Sequence, residues 1–221
     1  MRYYIADCHF FHGNLNERMD CRGFESAEAM NEYMISQWNQ KVRPNDEVVI
    51  LGDFSCGKAE ETNEICRRLQ GRLYLVEGNH DYYLKDRKFD LSRFEWVKSY
   101  AELHDEGRKV ILSHYPTMAY HGQFHVNKEG EPLTYMLYGH VHNTFDEYLI
   151  DRFIKETRSL KRMAWLNHQA VEVGTPCHMI NCFCRYSDYV PLTLKEWVAL
   201  DEKRRKEIDQ VVEEGRIAEY F

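Results

Sequence analysis

Apolar positions along this chain come in short runs separated by longer stretches with helical spacing. Tyr3–Ala6, Glu47–Leu51, Leu73–Val76, Lys109–Leu112 and Tyr135–Tyr138 are compact and rich in β-branched and aromatic residues, the pattern of buried strands. Trp96–Leu103 reads as one further strand, flanking with Lys109–Leu112 a turn at Asp105–Gly107. Ala170–Val173 and His178–Arg185 read as two more. Between the strands, Ser26–Gln40 sets Met30, Tyr33, Met34 and Gln37-Trp38 on one helical face, with Ser26 as its N-cap. Ala59–Leu69 is helical and stops at Gly71. Asp146–Trp165 and Thr193–Val212 are charged and long enough for helices, the latter with Leu194, Trp197, Val198, Arg205, Ile208 and Val212 in rough register. This alternation predicts an α/β chain.

The length, 221 residues, suits a single domain over 1–221, and there is no internal repeat. No apolar run approaches the roughly 18 residues needed to span a bilayer. Asp7 and His9 interrupt the opening where a signal peptide needs its apolar stretch, so a cytoplasmic protein is expected. Seven cysteines, an odd number, then read as reduced thiols. Cys182 and Cys184 read as one face of a strand. The net charge of −7 argues against tight, non-specific nucleic-acid binding, although bound cations can reverse a local field. The basic run Lys203–Lys206 alternates with acids and reads as a solvated helix face.

Asp, His and Asn residues recur just past the ends of the apolar strands: Asp7 and His9, Asp53, Asn79-His80-Asp81, His114, and His140 with His142. Ligands of α/β sheets bind at the carboxyl ends of the strands, so these positions predict one convergent site. Asp7-x-His9 and His140-x-His142, if extended, each project two side chains to one side. Individually the elements are weak. A carboxylate such as Asp53 is a common turn residue, and an isolated His114 is more often structural.

Together they resemble the calcineurin-like metallophosphoesterase superfamily, whose pattern runs Asp-x-His, Gly-Asp, Gly-Asn-His-(Asp/Glu), His, Gly-His-x-His. All five blocks stand here in order between Asp7 and His142. The resemblance covers residues 1–142 and leaves 143–221 to complete the fold with helices and strands. It implies two mixed β-sheets packed as a sandwich, flanked by helices in four layers. It also implies that Asp7, His9 and His142 bind one metal ion and Asn79, His114 and His140 a second, with Asp53 bridging both. His80 would face the substrate and protonate the leaving oxygen or stabilise phosphoryl charge, with Asp81 hydrogen-bonding to His80.

The donor set supports that reading chemically. Mixed nitrogen and oxygen ligands suit Mn, Fe, Zn, Ni or Mg, with Mn favoured, rather than a closed thiolate zinc site. Seven ligands exceed what one tetrahedral ion takes. Two ions about 3.5–4 Å apart clamp a phosphoryl group and lower the pKa of a bridging water, whose hydroxide would attack phosphorus in line. Ligating imidazoles also require partners for their other ring nitrogen.

The start Asp7-Cys8-His9-Phe10-Phe11-His12-Gly13-Asn14 looks like a subgroup reading Asp-Thr-His-Phe-x-His-x-Asn, which makes His12 and Asn14 candidate substrate contacts. Cys8 should point away from the metals and pack. His121 and His125 are candidate pocket residues. Gly52-Asp53-Phe54-Ser55-Cys56-Gly57-Lys58 lacks the arginine of the protein phosphatases in this superfamily. A hydrolase of a small, nucleotide-like phosphate monoester or diester fits best, with oligomerisation open. The alternatives are an inactive metal-binding scaffold of the same fold and an unrelated or structural metalloprotein.

Overall fold

The computed structural model of the protein describes residues 1–166 and 168–220. Strands β1 (Arg2–Ile5), β2 (Glu47–Ile50), β3 (Arg72–Val76) and β4 (Phe94–Lys98) form one sheet in the order β1-β2-β3-β4, parallel throughout. Strands β5 (Tyr100–Asp105), β6 (Arg108–Ser113), β7 (Thr134–Tyr138) and β10 (Met179–Asn181) form a second, mixed sheet in the order β10-β7-β6-β5. Strands β8 (Lys161–Leu166) and β9 (Gln169–Gly174) make a separate antiparallel hairpin. The helices are α1 (Ala27–Lys41), α2 (Ala59–Arg68), α3 (Phe145–Ser159) and α4 (Leu194–Glu213), with a last turn at Ile217–Tyr220.

Alternation along each strand explains the layering. Tyr3, Ile5, Val48, Ile50, Leu73 and Leu75 bury against Met30, Met34 and Trp38 of α1 and Ile65 of α2. Their neighbours Tyr4, Val49, Leu51 and Val76 face Val110, Leu112, Tyr135 and Leu137 of the other sheet. The far side of that second sheet, with Ile111, Met136 and Tyr138, packs on Ile154 of α3. Helix α4 inserts Leu194 and Trp197 into the inter-sheet core. The result is the expected sandwich of sheets between helices. Among the described residues no helix is long and apolar enough to cross a membrane.

Four expectations are corrected. The expected strand Trp96–Leu103 is two strands, β4 and β5, because the chain crosses between the sheets at Ser99. Helix α3 stops at Ser159, and the rest of the expected helix to Trp165 is the hairpin strand β8. The expected strand over His178–Arg185 keeps β-structure only at Met179–Asn181 before turning into a 3-10 helix at Cys184–Ser187. Its cysteines do not share a face: Cys182 lies between the sheets and Cys184 on the helix side. Cys182 is also a hinge between sheets. Its N–H donates to the Tyr138 carbonyl and its own carbonyl accepts from Ala6, both at 2.8 Å. That places the carboxyl ends of β1 and β7 side by side.

The fourth correction concerns Lys203–Lys206. Arg204 and Arg205 are buried, not solvated. Arg205 pairs with Asp201 at 2.7 Å and Asp151 at 2.9 Å, and Arg204 with Glu147 at 3.1 Å. Helix α3 thus meets α4 through compensated buried charges. Arg205→Ala would leave buried Asp151 with Lys155 alone and Asp201 with only the longer contact to Arg204. Urea unfolding should show a loss of about 3 kcal/mol, whereas a change below about 0.5 kcal/mol would mark the pair as a surface feature.

Candidate metal centre

Each candidate side chain sits where a parallel strand runs out. Asp7 follows β1, Asp53 follows β2, Asn79 and His80 follow β3, His114 follows β6, and His140 follows β7. The loops after β1 and β2 stay paired beyond the sheet, with Asp7 N–H on the Gly52 carbonyl and His9 N–H on the Asp53 carbonyl. The loops after β6 and β7 are joined by Gly139 N–H on the His114 carbonyl at 3.0 Å.

The local backbone is not extended, as the spacing argument for Asp7-x-His9 and His140-x-His142 assumed. Asp7, His9, Asp53, His140 and His142 all have φ between 48° and 71°, the left-handed region. Non-glycine residues hold such angles only when their surroundings over-determine them, at of order 1–3 kcal/mol each. Consequently His140 and His142 do not share a side. His142 joins Asp7 and His9, while His140 joins Asp53 and His114, the ligand-type atoms of each trio lying within 4.8 Å of one another. Two glycines permit the close approach. A Cβ on Gly78 would lie 2.2 Å from the Asp53 nitrogen, and one on Gly139 would lie 2.7 Å from Asp7 Oδ2.

Asp53 stands between the trios. Its Oδ2 is 3.4 Å from His9 Nε2 and 3.5 Å from His114 Nε2, and its Oδ1 accepts from the His80 backbone N–H at 2.7 Å. Asp7 is fully buried, and its carboxylate accepts from His140 N–H at 2.9 and 3.1 Å. Burial, and then the charge of Asp53, push its carboxyl well above the ordinary range.

The histidine partners fix the tautomers. His114 Nδ1 lies 2.9 Å from the Leu51 carbonyl, so Nδ1 carries the proton and Nε2 is a lone pair. Burial lowers the His114 pKa despite the nearby Asp53, which keeps the ring neutral. That lone pair faces Asn79 Oδ1 at 2.9 Å as well as Asp53. His142 Nδ1 is held by Asp20 Oδ1 at 2.7 Å, and its Nε2 lies 3.1 Å from His9 Nε2. Burial, then His142, hold the His9 pKa well below normal. The Nε2 lone pairs of His114 and His142 therefore face Asn79 and the carboxylates of Asp53 and Asp7. Atoms bound to one ion at about 2.1 Å sit roughly 3.0–3.4 Å apart, close to the separations seen here. The residues fit divalent cations.

Other candidates fall differently. The His80 ring is partly exposed, with its centroid 5.2 Å from that of His9 and 6.2 Å from that of His12. Asp81 does not support His80 as expected. Its buried carboxylate accepts from the N–H groups of Gly78, Asp53 and Phe54 at 2.8, 3.0 and 2.8 Å, pinning the loops after β2 and β3 together. His12 lies by His9 and Cys56, and its buried Nδ1 lacks a partner among the described residues. The Asn14 side chain is exposed and, among the described residues, makes no hydrogen bond to the cluster. His121 is drawn away to Glu102 at 2.8 Å, and His125 lines a different cavity. Cys8 packs in the helix-side core.

Sequence reasoning missed Asp20 and Arg22. Arg22 pairs with Asp20 at 2.8 Å and donates to the carbonyls of Asp7 and Cys8 at 2.9 and 2.7 Å. Both sit in an aperiodic loop. Only the general need of a ligating histidine for an acceptor pointed toward them.

The sequence matches the calcineurin-like phosphoesterase superfamily domain over residues 4–158. The uncharacterized protein MJ1445 of Methanocaldococcus jannaschii is 33% identical over 149 residues, covering 66% of this chain and 72% of its own length. The crystal structure of AQ665 from Aquifex aeolicus, a protein of unknown function, superposes with a TM-score of 0.57 at 23% identity, over 90% of this chain and 98% of its own. That likeness is one of fold.

The raised Asp7 carboxyl gives a signed prediction. A carboxyl whose folded-state value exceeds its unfolded value contributes stability that is fully present below about pH 4 and is lost as pH rises through the folded value. Chelator-treated Asp7→Asn should melt above the chelator-treated parent at neutral pH, by about 2–4 °C for each kcal/mol relieved, with the gap closing toward pH 4. Manganese should raise the melting temperature of the parent and not of the variant. A variant that melts lower at neutral pH without metal would contradict the charge argument.

Proposed function

The chain belongs to the calcineurin-like phosphoesterase superfamily, and we propose that it is a dinuclear, metal-dependent hydrolase of a small phosphate monoester or diester, with nucleotide-like substrates favoured. The observation that carries this reading is the position of Asp53 Oδ2, which lies within 3.5 Å of an imidazole nitrogen from each trio. In this reading Asp7, His9 and His142 hold one ion, Asn79, His114 and His140 hold the other, and Asp53 is shared. Two divalent ions, manganese for preference, would offset the charge of the phosphoryl oxygens and lower the pKa of a coordinated water.

The chain's own residues do the rest. Leu51 and Asp20 hold His114 and His142 in the tautomers that present Nε2 inward. Asp81 fixes the Asp53 loop through backbone bonds rather than touching substrate. His80 stands at the open side of the cluster, anchored by its backbone on Asp53 Oδ1, where its ring can protonate a leaving oxygen. His12 flanks it and is assigned to the phosphate, whereas the exposed Asn14 is a contact only for a substrate reaching outside the cluster. Action in the cytoplasm on a soluble phosphorylated molecule completes the reading.

A panel of aryl phosphates, aryl phosphodiesters and nucleotides, assayed with Mn, Fe, Zn, Ni and Mg, tests it. Manganese-stimulated turnover of at least one ester is expected. His80→Ala should lower turnover by about 10²–10⁴-fold with metal content intact, and Asp53→Ala should lose both. Equal metal loss in the two variants would break the division of roles. Bound metal without turnover across the panel would favour an inactive scaffold.

A further inference from the structure

Away from the metal centre, a cavity of about 1090 Å³ opens at the other end of the second sheet. Leu133 and His178 in its wall precede β7 and β10, whereas His114 and His140 follow the opposite strand ends. Strand β7, five residues at about 3.3 Å each, separates the two places. The β8–β9 hairpin, which pairs with no other strand among the described residues, forms one wall.

The lining has a definite chemistry. It contains Arg158, Arg162, Phe124 and Trp165, and among the described residues no Asp or Glu, in a chain of net charge −7. The Arg162 guanidinium lies over the Phe124 ring, 4.5 Å from its centroid. Its Nε is buried and, among the described residues, has no hydrogen-bond partner, and the same holds for Thr175 Oγ1 in the same wall. Buried polar atoms without partners are costly, so this wall of the cavity carries unpaired hydrogen-bonding capacity. Arg158 donates to the Cys177 carbonyl at 2.8 Å and contacts His178 Nδ1 at 3.2 Å. Burial, then Arg158 and Arg205, lower the His178 pKa to about 4, so the positive charge of the cavity belongs to the arginines. Trp165 is 78% exposed at the rim, a large aromatic face left in water.

We propose that this cavity is a second ligand site, for a mononucleotide: Arg162, with Arg158, takes the phosphate, and the base stacks on Trp165. Its volume lies just above the roughly 300–1000 Å³ typical of small-molecule pockets, so a mononucleotide fits with room for solvent. The site needs no metal and stands apart from the proposed hydrolase chemistry.

Calorimetric titration of adenosine 5′-monophosphate into the chelator-treated full chain tests it. Saturable binding at one site per chain is expected. Inorganic phosphate and adenosine alone should each bind at least about tenfold more weakly. Arg162→Gln and Trp165→Ala should each weaken the nucleotide by about tenfold or more while leaving the melting temperature and aryl-ester turnover unchanged. Absence of saturable binding would overturn the proposal, as would adenosine binding as tightly as the nucleotide. Binding that survives both substitutions but is lost in Asp53→Ala would overturn it too, by placing the nucleotide in the metal centre.

Discussion

Two buried carboxylates and the inward-facing Nε2 lone pairs of His114 and His142 crowd one small volume, and the rest of the molecule is arranged around that conflict. Asp7 and Asp53 are 0% and 2% exposed. The rings that face them are turned so that their protonated nitrogens look outward, to the Leu51 carbonyl and to Asp20. Buried acceptors without donors or cations are unfavourable. A fold selected for stability alone would replace such a cluster with apolar side chains. Divalent cations would resolve the conflict, because they satisfy many acceptors at once and need no proton.

Holding that cluster requires backbone strain and strong restraint. Five of its residues sit in the left-handed region, and the loops that carry them are tied by backbone hydrogen bonds running from β1 to β2 and from β6 to β7. Asp81 and Arg22 add side-chain ties to backbone groups at the same loops. Cys182 then links the sheets themselves, since its two backbone groups bond Tyr138 and Ala6. Rigid strands set the distances, and short strained turns aim the side chains.

Much of this was legible in the sequence where one side chain carries one signal. The buried runs ending at Ile5, Ile50, Val76, Ser113 and Tyr138 announced the strands, and the Asp, His and Asn residues after them announced the site. What was illegible depended on tertiary context. The residues from Trp96 to Leu103 look continuous, and only the two-sheet arrangement breaks them at Ser99. Arg204 and Arg205 look solvated until the acids of α3 are placed against them. Asp81 looked like a partner of His80 because it is next in sequence, yet its carboxylate turns inward to backbone N–H groups that sequence does not display. Asp20 and Arg22 gave no periodic signal at all.

The central claim is spatial: the two cations we propose share Asp53. Anomalous-scattering crystallography of the manganese-loaded protein tests it most directly. Two peaks about 3.5–4 Å apart are expected on either side of Asp53 Oδ2, one reached by Asp7, His9 and His142 and the other by Asn79, His114 and His140. A single peak, or one held instead by His12 and Cys56 with Asp53 unengaged, would contradict the account.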